Sequence, residues 1–147
     1  MKVVVTRVSQ ASVEIDGEIY SEIGAGLLIL VGICDGDTID DVKYLAKKCA
    51  NMRIFTDSEG KLNLAMGAIG GEALIVSNFT LYADASHGNR PSFTAAARPE
   101  VAEPLYEAFC KEMESLNIPV KTGVFGADMA LSSVNDGPIT IIIESRN

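Results

Sequence analysis

The chain has 147 residues, 48% of them hydrophobic, and a formal net charge of −8 at pH 7. That length suits one globular domain, 1–147, with a real core, while the acidic balance argues against broad nucleic-acid binding, which rests on neutralising many phosphates. No apolar run approaches membrane-spanning length and no basic-then-apolar stretch opens the chain, so a cytoplasmic location is expected.

In chain order, "MKVVVTRV" alternates and is rich in valine, which predicts an opening strand interrupted at "SQAS". "VEIDGEIY" sets Asp16-Gly17 between two alternating runs, a strong hairpin signal because a type I′ turn needs positive φ at both central positions. "GAGLLILVGI" predicts a buried strand over 27–33. The period then changes: Ile39, Val42, Leu45, Ala46 and Cys49 recur at helical spacing, with Asp37 or Thr38 as cap and Asp40 and Asp41 at the positive end. "RIF", "TDSEG" and "KLNL" read as strand, turn and strand, "GAIGG" as a flexible connection, and "EALIVSNFTLY" as a strand ending in polar residues.

The second half begins with a loop, "ADASHGNRPSF". "RPEVAEPLYEAFCKEMESL" predicts a helix with Pro99 in its first turn and an apolar stripe of Val101, Leu105, Ala108, Phe109 and Leu116; Pro104 marks a kink or a later start. "DMALSSV" and "ITIIIE" read as strands flanking "NDGP". Hairpins dominate the short connections, so the fold class is mixed α+β, a mostly antiparallel sheet with two main helices packed on it.

The residue counts restrict the chemistry. Three cysteines (Cys34, Cys49, Cys110) without CxxC spacing read as reduced thiols, Cys49 and Cys110 as small hydrophobes on helix faces. A single histidine, His87, in a Gly/Asn/Pro loop nearly excludes Cys/His zinc sites and His-based triads, so no metal and no cofactor is expected. Three stretches carry more polar and glycine detail than packing requires: "SNFTL" at 77–81, "GVFGADM" at 123–129 and "NDGP" at 135–138. The last is either a tight turn between strands or a special backbone geometry that presents carbonyl groups to a ligand.

"SNFTLYAD", "GNRPSF", "TGVFGADM" and "NDGPIT", in this order and spacing, resemble the D-aminoacyl-tRNA deacylase family, and "VTRVSQASVEIDGE…IGAGLLILVGI" extends the resemblance over nearly the whole chain. It implies a barrel-like core and a homodimer with each active site at the interface. The implied reaction is hydrolysis of the ester joining a D-amino acid, or glycine, to the terminal ribose of tRNA. The family's Ser-Gln-x-Thr-Leu motif falls on Ser77, Asn78, Phe79, Thr80 and Leu81. Its Gly-cisPro motif falls on Gly137 and Pro138, which are implied to reach into the partner's pocket. Phe125 and Met129 match positions lining the adenosine and aminoacyl site, and Arg7 an arginine that steadies the Gly-Pro segment. Asn78 departs from the family's glutamine: it keeps the amide but shortens the arm by one methylene, which leaves its role open.

A mechanism follows as an expectation. Neighbouring main-chain oxygens at Gly137-Pro138 hold the substrate's α-ammonium and occupy the volume an L side chain needs, so that a D side chain points outward and glycine is accepted. Thr80 is either a nucleophile or part of a positioning turn whose N–H groups stabilise an oxyanion while the tRNA 2′-OH assists water. Lys43, Lys47, Lys48, Arg53 and Arg90 are candidate acceptor-stem contacts, and Phe125 a stacking surface for a base. The rival functions are a nonenzymatic nucleic-acid-binding module on the same fold and a related deacylase of L-aminoacyl misacylated tRNA.

Overall fold

Alternating valines bury one side of the first strand, β1 (Lys2–Ile15), with Val3, Val5 and Val13 fully shielded. In the computed structural model, which describes residues 1–145, this strand organises the sheet. "SQAS" does not interrupt it: β1 runs unbroken for 14 residues. Asp16 and Gly17, both at positive φ (53° and 80°), turn it into β2 (Glu18–Ile23). One edge of β1 carries β2 along its end and β3 (Gly26–Gly32) along its start, both antiparallel.

Thr38 caps α1 (Ile39–Asn51) by a capping box with Asp41, and Val42, Leu45, Ala46 and Cys49 form its buried face; Ile39, expected on that face, is exposed. A small hairpin of β4 (Phe55–Thr56) and β5 (Leu62–Leu64) follows. "GAIGG" is more ordered than a flexible connection, because Met66–Ile69 forms a 3₁₀ turn closed by Gly70. Next come β6 (Glu72–Ser77), α2 (Pro99–Ser115) and β7 (Val120–Thr122). β6 lies parallel to both β3 and β7, within an otherwise antiparallel sheet. In α2, Pro99 opens the helix and Pro104 is accommodated inside it. The buried stripe is rotated from the one expected: Ala102, Tyr106, Phe109, Cys110 and Met113 face the core and Val101 faces out.

Because side chains alternate across a strand, β3 and β6 feed two cores. Leu27, Ile29 and Ile75 pack with α1 and α2, whereas Leu28, Leu74 and Val76 pack with Val8 and Val13 on the other face. That second face curls on itself, and Ser21 Oγ of β2 donates to the Thr122 carbonyl of β7 at 2.7 Å, giving a nearly closed, barrel-like sheet. Burial raises the Cys49 thiol to about 12 and the Cys110 thiol to about 11, consistent with their reading as small hydrophobes.

The largest departure from expectation concerns "NDGP". It is not a hairpin turn: 130–144 form one strand, β8 (Ala130–Glu144), antiparallel to β1 on both sides of the motif. Val8 faces Asn135 and Thr6 faces Thr140, so Arg7 alone stands opposite Asp136, Gly137, Pro138 and Ile139. The four residues leave the ladder as a bulge. The Asn135 side chain closes its neck, accepting from Ile139 N–H at 3.0 Å and donating to Thr140 Oγ1 at 2.9 Å. The Gly137–Pro138 bond is cis. Gly137 sits at φ 128°, and a Cβ there would meet Ile139 Cγ1 at 2.8 Å.

The start of β1 is fixed by an ion pair shielded from solvent on both sides. The Met1 ammonium lies 2.6 Å from Asp37 Oδ1, and Asp37 Oδ2 accepts the Cys34 N–H at 2.8 Å. Removing one member of a buried pair strands the other charge. Asp37→Ala should therefore lower unfolding stability by about 3–5 kcal/mol in urea titrations; a loss under about 1 kcal/mol would show that the pair contributes little.

Candidate active site

β6 delivers the first group of candidate residues. Ser77 is its last residue, paired with Val31, and the Asn78 N–H extends the ladder by donating to the Val31 carbonyl at 2.8 Å. The strand stops there, shorter than expected, and Phe79–Tyr82 form a single 3₁₀ turn. Its first bond runs from the Leu81 N–H to the Asn78 carbonyl at 3.3 Å, so the N–H groups of Phe79 and Thr80 precede the bonded part of the turn. Lys2 holds the turn from beneath, donating to the Leu81 carbonyl at 3.3 Å with its ammonium 4.8 Å from the Tyr82 ring centre. Burial, with a smaller effect from Cys34, raises the Tyr82 phenol well above its ordinary range.

Within the turn, Thr80 Oγ1 donates to Asn78 Oδ1 at 2.5 Å. The shorter side chain thus engages the threonine two residues on. A carboxamide oxygen accepts a hydrogen bond but is no proton acceptor at neutral pH, so the contact orients the hydroxyl without activating it. His87 is engaged elsewhere, its Nδ1 lying 2.8 Å from Ser86 Oγ.

Beside this turn opens a cleft of about 600 Å³ lined by Ser77, Asn78, Phe79, Phe125 and Met129, all expected site residues. Phe79 is 57% exposed and meets Phe93 edge-to-face at 5.4 Å. Phe125 follows β7 and stands 6.1 Å from the Tyr106 ring. Tyr106 is buried in α2 and donates to the Ile75 carbonyl at 2.6 Å, tying the helix to β6 just before the turn. Burial raises its phenol far above the usual range.

The second group lies apart. Arg7, only 8% exposed, donates from Nε to the Asp136 carbonyl at 3.0 Å and from Nη1 to the Ile54 carbonyl at 3.0 Å. It therefore bridges the bulge to the segment before β4. Gly137 and Pro138 are exposed. Neither they nor Arg7 nor Thr80 lines the cleft of their own chain.

The family model for D-Tyr-tRNA(Tyr) deacylase matches residues 4–144. The chain belongs to the D-aminoacyl-tRNA deacylase family. A D-aminoacyl-tRNA deacylase of Chloroflexus aurantiacus is 57% identical over 145 residues, covering 99% of this chain and 91% of the relative. One from Parabacteroides distasonis is 53% identical, covering 100% and 99%. Among solved structures, one described as c-Myc DNA Unwinding Element Binding Protein superposes with a TM-score of 0.93 at 38% identity, with both chains fully covered. A probable eukaryotic D-amino acid tRNA deacylase gives a TM-score of 0.81 at 18% identity over 97% and 98%, a likeness of fold.

The cleft of this deacylase-family chain also holds residues that sequence reasoning passed over. Phe93, Ala102, Arg98 and Asp128 line the cleft. "RPSF" flagged the stretch that contains Phe93, but nothing in the spacing marked Arg98. The expected acceptor-stem cations lie elsewhere: Lys43, Lys47 and Lys48 are exposed on α1, and Arg53 donates to Asn63 Oδ1 at 2.7 Å. Among the described residues no cluster of three His, Cys, Asp or Glu could hold a metal.

The Tyr106 hydroxyl predicts a measurable positioning effect. Tyr106→Phe keeps the ring against Phe125 and removes one buried hydrogen bond, which should cost about 1 kcal/mol of stability in denaturant titrations. An unchanged midpoint would mean that the Ile75 carbonyl is satisfied without it.

Proposed function

We propose that this protein hydrolyses the ester of D-aminoacyl-tRNA, and of glycyl-tRNA, to free amino acid and tRNA, at a site completed by a second copy of the chain. The observation that carries the reaction is the 57% identity to a D-aminoacyl-tRNA deacylase over 99% of the chain. The two-chain site is favoured by the separation of the cleft from the bulge. The bulge is held rigidly by Arg7 and Asn135, yet it projects from a strand whose residues 130–138 are all exposed. Val134 and Ile142 are 47% and 64% exposed on the same strand, and a paired copy would cover them.

In this reading the partner's Gly137-Pro138 segment faces the Ser77–Thr80 turn. Its main-chain oxygens accept hydrogen bonds from the α-ammonium and fill the space of an L side chain, so selection rests on exclusion. A D side chain points outward and glycine offers nothing to exclude. The N–H groups of Phe79 and Thr80 face the carbonyl as negative charge develops on it. Water attacks with help from the 2′-OH of the terminal ribose, and the ester C–O bond breaks to return the 3′-OH. Thr80, bound to an amide rather than a base, serves to shape the turn. Phe125 stacks on the terminal base.

The 38%-identical structure described as a DNA-unwinding-element binding protein favours a second reading, DNA binding. Duplex binding draws its affinity from clustered cations. Here the net charge is −8, and Arg98 is the one cation on the cleft lining.

One experiment tests the deacylase reading: hydrolysis of D-, L- and glycyl-tRNA by the intact protein and by Thr80→Ala. D- and glycyl-tRNA should be cleaved, L-aminoacyl-tRNA should survive, and Thr80→Ala should keep activity within roughly tenfold, as a positioning role allows. Efficient cleavage of L-aminoacyl-tRNA would overturn the exclusion mechanism, and an acyl group trapped on Thr80 would overturn its assignment.

A further inference from the structure

The cleft lining is largely apolar, and Arg98 and Asp128 are its two charged residues. Arg98 immediately precedes α2, where its carbonyl accepts the Val101 and Ala102 N–H groups at 3.0 and 2.9 Å. The backbone that carries the guanidinium is thus fixed by the first turn of a 17-residue helix. The guanidinium itself makes no hydrogen bond or ion pair to any described residue, in contrast to Arg7, whose Nε and Nη1 both donate to main-chain carbonyls. Asp128, across the same lining, is not within ion-pair distance of it.

A planar, permanently charged fork without a partner among the described residues, on an exposed residue of an apolar cleft's lining, fits an anion with several oxygens, which it can grip by two parallel bonds. Resting on the reading of this cleft as the site for the 3′ end of aminoacyl-tRNA, the substrate carries one such group close to the reacting ester. That group is the 5′-phosphate of the terminal adenosine, one ribose away from the scissile bond. We infer that Arg98 binds this phosphate and thereby sets how far the 3′ end enters the cleft.

The assignment accounts for a tension in the charge distribution. A chain of net charge −8 repels a polyanion over most of its surface, so one cation at the cleft directs the strand end there and keeps the rest of the tRNA loosely held. Asp128 sharpens the effect by disfavouring phosphate on its own part of the lining. Arg98 is a binding residue in this role and takes no part in bond making.

Two small substrates isolate the contact: the 3′-O-(D-aminoacyl) ester of adenosine and the same ester of adenosine 5′-monophosphate. The quantity read is the ratio of their kcat/KM values. The parent protein should prefer the phosphorylated ester by roughly tenfold, the usual scale of one charge-assisted pair. Arg98→Ala should bring the ratio to about one, chiefly through KM, and Arg98→Lys should restore part of it because a point charge replaces the fork. With whole D-aminoacyl-tRNA, the dependence of log(kcat/KM) on log[salt] should be shallower in Arg98→Ala by about 0.7, the single-strand value for one phosphate. A ratio unchanged by Arg98→Ala would overturn the inference, as would a parent protein with no preference. Phe125→Ala separates this from failure of the site reading. If it slows both esters while Arg98→Ala leaves their ratio intact, the cleft is the site and the phosphate contact is wrong. If it slows neither, the cleft itself is misassigned and the inference falls with it.

Discussion

The Arg7 guanidinium is the pivot of this fold's unusual feature. One residue of β1 stands opposite four of β8, and an excursion of that size collapses or frays unless its polar backbone is satisfied. Arg7 holds the Asp136 carbonyl from within the protein while Asn135 closes the neck from the strand side. Remove the arginine and the bulge loses its tie to the segment before β4. The sheet around it is conventional, and the special geometry is concentrated where those two side chains hold it.

A similar local constraint shapes the other group of candidate residues. Parallel pairing of β6 between β3 and β7 brings Ser77 and Asn78 to a strand end, and the chain then turns abruptly rather than running on. The turn presents two N–H groups ahead of its first bond; Lys2 and Phe93 contact it, and Tyr106 ties α2 to the strand that leads into it. No strong base is at hand for Thr80. On the proposed mechanism an aminoacyl ester is reactive enough for orientation and charge stabilisation to serve without one.

How much of this could be read from the sequence depended on whether a pattern was local. The Asp16-Gly17 hairpin, the Thr38 cap and the buried strand at 27–33 are set by neighbouring residues, and they stand where the pattern put them. The 3₁₀ turn after Ser77 and the rotated stripe of α2 were not legible, because tertiary packing chooses the face: Val101 and Ala102 are both apolar, and only the position of the sheet exposes the first and buries the second. Of the two readings open for "NDGP", the tight turn between separate strands does not hold, for the same reason. Asp-Gly and Gly-Pro favour chain reversal locally, but β1 pairs with the residues on both sides of the segment, so the chain bulges and rejoins the same ladder instead of reversing. Of the candidate site, the motifs marked both groups of residues. They could not reveal that Asn78 would turn inward to Thr80, nor single out Arg98, which carries no local signature.

On the proposed reading, cleft and bulge act together only across two copies of the chain. Subunit complementation tests it most directly, with two variants that are each inactive alone: Gly137→Ala, which damages the bulge, and Phe125→Ala, which damages the cleft. Refolded together at equal concentration, half the dimers are mixed, and each of those has one site with both parts intact. The mixture should recover roughly a quarter of parental D-aminoacyl-tRNA hydrolysis, as random pairing of a two-fold dimer requires. A mixture no more active than its separate components would contradict it.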